Sequence, residues 1–283
     1  MTATLLGPAE IRDLADLLGI QPTKKLGQNF VHDANTVRRI VASSKVAQGM
    51  VVVEIGPGLG SLTLGLVEKG AKVVAVEIDK RLAEQLPETV RLLQPDADLT
   101  VVVADAMKVT SLPVEPTHLV ANLPYNISVP VLLHFLEHFP SLRRGLVMVQ
   151  AEVGLRLAAD PGSKVYGSPS IKAAWYGDWS TAGQVSRQVF WPVPNVDSIL
   201  VAYDHHEPKG TEVERAVTFE LVDAAFQQRR KMLRQSLSVV FGSSADASSA
   251  IEGAGLAATR RGEELTVDDF LAIARVRIAR DAE

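Results

Sequence analysis

Short runs of Val, Ile and Leu alternate with longer amphipathic stretches between residue 51 and about residue 204. Runs of this length predict buried strands, and their alternation with helical stretches predicts parallel strands joined by helices. The predicted strands are Val51–Ile55, Lys72–Ile78, Leu99–Ala104, His118–Leu123, Gly145–Gln150 and Ser198–Tyr203. The pattern therefore indicates an α/β fold.

Helical patterns occur before, within and after this region. The spacing predicts helices at Ile11–Leu18, Ala34–Ser43 and Ser61–Lys69, with Gly70 ending the third. After a linker at residues 205–210, helical periodicity continues to residue 283, so we expect one domain at 1–207 and a small all-α domain at 208–283. Residues 160–194 hold all three tryptophans and several Gly and Pro, which fits either an elaborated sheet edge or a substrate loop.

Composition narrows the class of protein. The 47% hydrophobic and 22% charged residues are typical of globular chains, and no run approaches the 18 apolar residues of a membrane span. The first residues include acids where a signal peptide has Lys or Arg, so we expect a soluble cytoplasmic protein that is not membrane-bound. The absence of cysteine excludes disulfides, thiolate nucleophiles and Cys-bound metals, and the net charge of −4 leaves only local patches for binding nucleic acid.

A glycine-rich turn, Gly56-Pro-Gly58-Leu-Gly60, follows the first predicted sheet strand and precedes a helix. Backbone can approach a ligand closely at such a turn, which serves both NAD and S-adenosylmethionine (SAM). An NAD fingerprint would place its third glycine at position 61, which is Ser61, so the NAD interpretation is weakened. Glu77 and Asp105 end the next two strands, where carboxylates can accept from a ribose and an adenine amine. Together the three strand ends predict an adenosine site.

The fourth predicted strand ends in Asn122-Leu-Pro124-Tyr125. An adenine amine is a poor nucleophile because its lone pair is delocalised into the ring. The side-chain carbonyl of Asn122 and the backbone carbonyl of Pro124 can hold its N–H groups and favour a tetrahedral nitrogen. Tyr125 can stack on a base that has left its helix. These residues predict methylation of an adenine base.

Several short motifs are spread over nearly the whole chain. They are Lys25-Leu-Gly-Gln28-Asn29-Phe30, Glu54-Ile-Gly-Pro-Gly-Leu-Gly60, Val76-Glu77-Ile-Asp79, Asp105-Ala106, Asn122-Leu-Pro-Tyr-Asn126, Gln150-x-Glu152, Phe190-x-Pro-x-Pro194-x-Val-Asp197-Ser198 and Phe226-x-x-Arg-Arg-Lys231. With these motifs the chain resembles the ribosomal RNA adenine dimethyltransferases of the KsgA/RsmA type. The resemblance implies a Rossmann-like SAM-dependent methyltransferase sheet in 1–207 and a helical domain in 208–283 that helps to bind RNA.

The resemblance also implies roles for individual residues. Those implied to contact the cofactor are Asn29, Val31, Gly56, Gly58, Glu77, Asp105 and Asn122. Those implied to act on the target adenine are Asn122, Pro124, Tyr125 and Phe190, with Tyr125 and Phe190 flanking the base. The family usually has Leu in place of Val31 and Gly in place of Ala104, and neither difference removes a side-chain function.

The implied reaction is N6,N6-dimethylation of two adjacent adenosines in the 3′-terminal hairpin loop of small-subunit (16S) rRNA, on an immature small ribosomal subunit. We expect a monomer without a metal. The alternatives are an Erm-type enzyme that methylates large-subunit rRNA, a ribosome-assembly factor whose binding matters more than methylation, and, weakly, an NAD-dependent oxidoreductase.

Basic residues provide the predicted RNA contacts. They are Lys24, Lys25, Arg229, Arg230, Lys231 and Arg234. The competing interpretation is partly structural, with Phe226 in the helical core and Arg229 paired with an acid. His134 and His138 have helical spacing, but no third ligand is arranged to complete a metal site, so we interpret them as surface or packing residues.

Overall fold

The computed structural model describes residues 5–20 and 29–282. The chain divides into two compact units. The sheet unit comprises residues up to Gly154 together with Ser180–His205, and the helical unit comprises Leu155–Trp179 together with the chain from His206 onward. This division differs from the expected domains in residues 155–179. Ile171 and Trp175 of this stretch are buried in the core of the helical unit, which explains why the stretch belongs to that unit.

The sheet unit contains most of the strands. They are β1 (Phe30–Val31), β2 (Val51–Ile55), β3 (Lys72–Glu77), β4 (Asp98–Val103), β5 (His118–Asn122), β6 (Arg144–Gln150), β7 (Gly177–Val185, of which 180–185 belong to this unit), β8 (Phe190–Trp191) and β9 (Ser198–His205). The helices are α1 (Pro8–Leu17), α2 (Ala34–Ser43), α3 (Ser61–Glu68), α4 (Lys80–Leu93), α5 (Ser128–His138) and the start of α6 (Ala151–Leu157).

Seven strands form one sheet in the order β4-β3-β2-β5-β6-β9-β7. Strands β2 to β6 are parallel, and β9 runs antiparallel to β6 with Ser198 opposite Gln150. From β2 the chain proceeds to β3 and β4 on one side, then returns to place β5 and β6 on the other. Ligands of open α/β sheets bind at such a reversal, beside the carboxyl ends of the strands. The crevice is therefore expected between β2 and β5.

The predicted strands of the sheet are confirmed, with ends that shift by one or two residues. The predicted helix at Ser61–Lys69 is present as α3, and all its residues from Ser61 to Val67 are buried. Gly65 allows this burial, because a Cβ there would lie 2.5 Å from Val37 of α2. Of residues 160–194, β7 forms the edge of the sheet, while the part that contains Ile171 and Trp175 packs in the helical unit.

The helical unit packs its own apolar core. Its helices are α7 (Ser168–Ala174), α8 (Glu212–Gln227), α9 (Leu233–Ser236), α10 (Ser238–Phe241), α11 (Ser244–Gly253) and α12 (Val267–Asp281). Thr211 and Thr266 cap α8 and α12 and pair with Glu214 and Asp269 in capping boxes, which satisfies backbone donors at both helix starts. Within the described residues, no helix is both long and apolar enough to cross a lipid bilayer.

Substitution of Gly154 in α6 tests the packing of the sheet. A Cβ there would lie 2.2 Å from Ile199 Cγ2 and 2.8 Å from Val201 Cγ2 of β9. We expect Gly154→Ala to lower the free energy of unfolding by about 1–3 kcal/mol. In the control Gly253→Ala the new methyl group meets nothing closer than 3.5 Å, so stability should stay equal or rise. Urea unfolding measures both, and equal stability of Gly154→Ala and the wild type would contradict the packing.

Candidate active site

One cavity of about 200 Å³ opens at the carboxyl ends of β2, β3 and β5. The sequence-predicted residues that line it are Asn29, Val31, Gly56, Gly58, Glu77, Asp105, Asn122, Pro124 and Tyr125. The structure thus brings into one cavity residues that span nearly 100 positions of the chain. Phe30, Glu54, Ile78 and Asp79 also line it, although the sequence analysis gave them no role of their own.

The glycine turn depends on left-handed backbone. Gly56, Gly58 and Gly60 have φ values of +66°, +58° and +94°, a region that other residues rarely adopt. A Cβ at Gly58 would lie 2.8 Å from the Phe30 ring, and one at Gly60 would lie 2.5 Å from Leu86. Glycine is therefore required here because of the left-handed backbone and because a side chain would not fit. The backbone of the turn lines the cavity.

Glu77 ends β3 with its side chain almost fully buried. Its Oε2 accepts a hydrogen bond from the Gly58 N–H (3.1 Å), and its Oε1 accepts one from the Asp79 N–H (2.9 Å). Burial raises the pKa of this carboxyl, while the backbone donors act in the opposite direction. Since each carboxylate oxygen has two lone pairs, Glu77 fixes the glycine turn and still has acceptor capacity for a ligand.

Glu54 is a second buried carboxyl in the same cavity. It is the only charged residue of β2 and is 1% exposed. The Thr63 hydroxyl donates to its Oε2 at 2.6 Å. Burial raises the pKa of Glu54 to about 8, and the charge of nearby Glu77 acts in the same direction. The side chain is therefore largely protonated at neutral pH. A lone acid within an apolar strand was the signal in the sequence that could have identified it.

Asp105 lies on the more open side of the cavity, directly after β4 and Ala104. Its carboxylate accepts from the Met107 N–H at 3.0 Å, and Lys108 Nζ lies 3.9 Å away. The side chain is 36% exposed, so an oxygen remains accessible to a ligand.

The turn after β5 is held from two directions. Asn122 Nδ2 donates to the backbone carbonyl of Asn29 at 2.9 Å, which leaves Asn122 Oδ1 as the acceptor of that amide. The Pro124 carbonyl accepts from the Ile127 N–H at 3.2 Å and retains a second lone pair. The Tyr125 hydroxyl lies 2.7 Å from Ser198 Oγ. The turn therefore presents two carbonyl oxygens and an aromatic ring at one cavity.

Phe190 is placed differently from the other predicted residues. It lies in β8 opposite Val31, is 1% exposed, and is absent from the residues that line the cavity. Its neighbour Trp191 is partly exposed and stacks on Phe30 with the ring centroids 6.3 Å apart. The flanking role of Phe190 stays a prediction, since the structure places this residue outside the cavity lining.

The predicted RNA-contacting residues fall into three groups. Lys24 and Lys25 lie outside the described residues. Arg230 and Lys231 are exposed, and Arg234 is half-buried. Arg229 instead bonds within the helical unit, to Glu263 Oε2 (2.7 Å) and to the carbonyls of Ser163 and Lys164 (3.3 and 3.0 Å). The structural interpretation of Arg229 is thus confirmed.

The two spaced histidines interact with backbone. His134 Nε2 lies 2.8 Å from the Val109 carbonyl, and His138 Nδ1 lies 2.9 Å from the His134 carbonyl. Among residues 5–20 and 29–282, no group of three or more His, Asp or Glu side chains could hold a metal ion.

The raised pKa of Glu54 has a consequence for stability. Because its folded pKa of about 8 exceeds the ordinary value of 4.5, the unfolded chain binds fewer protons between these pH values, and this group costs stability as pH rises. We expect Glu54→Gln to become more stable than the wild type by a few kcal/mol above pH 8, with a smaller gain at pH 5. Urea unfolding at both pH values measures this, and parallel pH dependence of the two proteins would contradict it.

Substitution of two adjacent arginines tests whether Arg229 stabilises the fold and Arg230 does not. Arg229→Ala removes bonds to Glu263 and two carbonyls, so we expect it to lower the free energy of unfolding by about 1–3 kcal/mol. Arg230→Ala, on the exposed neighbour, should change stability by less than about 0.5 kcal/mol. Equal losses in thermal unfolding of the two variants would be incompatible with this division.

Comparisons with known proteins agree with the geometry. The family model described as ribosomal RNA adenine dimethylase matches residues 20–278. The ribosomal RNA small subunit methyltransferase A of Leifsonia xyli subsp. xyli is 69% identical over 274 residues, which cover 95% of this chain and 98% of that protein.

Two solved structures have a similar fold. A dimethyladenosine transferase from Plasmodium falciparum has a TM-score of 0.75 at 22% identity and covers 89% of this chain and 98% of its own. The 23S rRNA methyltransferase ErmE has a TM-score of 0.65 at 26% identity and covers 88% and 99%. With a family model matched over most of its length and a full-length relative at 69% identity, the chain belongs to the ribosomal RNA adenine dimethylase family of SAM-dependent methyltransferases.

Proposed function

We propose that this enzyme dimethylates N6 of two adjacent adenosines in the 3′-terminal hairpin loop of small-subunit (16S) rRNA, on the immature subunit in the bacterial cytoplasm. The observation that carries the proposal is the position of the Asn122–Tyr125 turn, which shares one cavity with the glycine turn and Glu77. Support for the small subunit comes from relatives named small subunit methyltransferase A. The ErmE structure is more distant, at 26% identity, and does not favour the large-subunit alternative.

The cavity fits SAM by the chemistry of its walls. The left-handed glycine turn, in which a Cβ at Gly58 would meet Phe30, brings bare backbone beside the cofactor. Glu77 would accept hydrogen bonds from the ribose hydroxyls with its remaining lone pairs, and Asp105 would accept one from the adenine amine. Asn29, Val31 and Ile78 complete the walls around the nucleoside. When bound, SAM supplies a methyl group activated by its positively charged sulfur.

The turn after β5 prepares the target amine. Asn122 Oδ1 is oriented by the bond from Nδ2 to Asn29, so it needs no rearrangement to accept an N–H of the adenine amine. The Pro124 carbonyl accepts the second N–H. Two acceptors on one nitrogen would favour its tetrahedral form and localise its lone pair for methyl transfer, and the amine would lose its proton after the transfer. Tyr125 stacks on the base, which offsets part of the cost of removing it from its loop.

Arg230, Lys231 and Arg234 in the helical unit contact RNA phosphates, along with Lys24 and Lys25 from the N-terminal segment. Arg229 supports this surface through its bonds to Glu263 and to the Ser163 and Lys164 carbonyls, and its predicted contact with RNA stays a prediction. A protein of net charge −4 thus binds RNA through local groups.

The direct test is methyl transfer from radiolabelled SAM to immature small subunits from a strain that lacks the endogenous modification. Nuclease digestion of the product should yield dimethyladenosine at two adjacent positions near the 3′ end of the rRNA. Label in large-subunit rRNA alone would indicate the Erm-type reaction. The absence of label in both RNAs would refute the proposal.

Removal of the amine acceptor should separate catalysis from binding. We expect Asn122→Ala to reduce methyl transfer by about a hundredfold or more, because one of two acceptors for the amine is lost. Binding to the immature subunit, measured by co-sedimentation, should be unchanged. Asn35→Ala is the matched control, since Asn35 is exposed on α2 and does not line the cavity. Loss of subunit binding in Asn122→Ala would contradict this separation.

A further inference from the structure

The Tyr125 hydroxyl is paired with Ser198, a residue to which the proposed reaction assigns no role. It lies 2.7 Å from Ser198 Oγ, at the first position of β9. Ser198 is completely buried, and burial of the Tyr125 ring is partial. A buried hydroxyl pair of this kind restricts both side chains, because a change of rotamer would leave one polar group without a partner.

Ser198 is itself held in place. In the antiparallel ladder it lies opposite Gln150 of β6, and the carbonyl of the preceding Asp197 accepts from the Ala151 N–H at 2.8 Å. Arg187 Nε lies 2.9 Å from Asp197 Oδ1, and Arg187 Nη1 donates to the Asn195 carbonyl at 3.2 Å. The start of β9 is therefore fixed both by the sheet and by an arginine that spans the loop before it.

We propose that Ser198 is a positioning residue that holds the Tyr125 ring in the cavity at the orientation required to stack on the target adenine. The proposal rests on the proposed function, since it gives Ser198 a role through Tyr125. It assigns Ser198 no contact with the substrate or the cofactor. In keeping with this, Ser198 is not one of the residues that line the cavity.

The same contact indicates how Tyr125 acts. Its hydroxyl is engaged by the Ser198 hydroxyl, and burial raises the pKa of the phenol. The hydroxyl is therefore protonated at neutral pH and is not a base for the adenine amine. Tyr125 contributes its ring, while its hydroxyl serves as the anchor.

Steady-state methylation of small subunits tests the proposal with four variants. We expect Ser198→Ala and Tyr125→Phe each to lower kcat by about tenfold, with the SAM dissociation constant within twofold of the wild type. Because both remove the same hydrogen bond, the double variant should be no slower than the slower single variant. Ser198→Thr, which retains a hydroxyl, should recover most of the rate. Ser44→Ala, at a buried serine bonded to the Val41 carbonyl, is the matched control and should keep full activity.

Full activity of Ser198→Ala would overturn the proposal, as would strictly additive losses in the double variant. If Ser198→Ala does not fold, Tyr125→Phe alone decides, since an unchanged kcat in that variant shows that the anchor is dispensable.

A second measurement does not depend on the reaction. In protein with ¹³C-labelled tyrosine rings, the Tyr125 signal is assigned by its loss in Tyr125→Phe. Ser198→Ala should shift this signal and leave those of the other three tyrosines in place. An unshifted Tyr125 signal would overturn the anchor, even in an active enzyme. A wild type that does not methylate small subunits, with the shift still observed, would refute the proposed function and leave the contact itself intact.

Discussion

The reversal of strand order between β2 and β5 is the constraint on which the site depends. Because β3 and β4 follow β2 on one side while β5 and β6 lie on the other, the segments that leave β2 and β5 diverge and open a crevice. Parallel pairing brings all the strand ends to the same edge, so the glycine turn, Glu77, Asp105 and Asn122 meet there without any local contact in sequence. The cofactor and the target amine can then share one space.

That space is maintained by features that cost stability. Two carboxyls, Glu54 and Glu77, are buried in one cavity, and burial raises the pKa of both. The Thr63 hydroxyl and the amides of Gly58 and Asp79 provide the partial compensation. Three glycines hold left-handed conformations beside them. The surrounding sheet, with β2 and β3 buried along nearly their whole length, supplies the apolar burial that sustains this arrangement.

Much of this arrangement could be predicted from the sequence because it follows from periodicity and from strand ends. Runs such as Val51–Ile55 and Lys72–Glu77 are short and apolar, and polar residues directly after them must lie at one edge of a parallel sheet. Strand β7 was not predicted, because its mostly exposed residues contain no continuous apolar run. Glu54 stands out in the sequence as a lone acid in an apolar strand, but its raised pKa depends on burial and its bond to Thr63 joins residues nine positions apart. The Tyr125–Ser198 contact joins residues 73 positions apart, which no local pattern encodes.

We infer that one cavity positions the adenine amine against Asn122 and Pro124 while the cofactor lies on the glycine turn. A crystal structure with S-adenosylhomocysteine and adenosine tests it most directly. We expect the nucleoside of the cofactor product between Glu77 and Asp105, and the amine of the second adenosine within hydrogen-bond distance of Asn122 Oδ1 and the Pro124 carbonyl. Adenosine bound elsewhere, or with its amine directed away from these two oxygens, would contradict it.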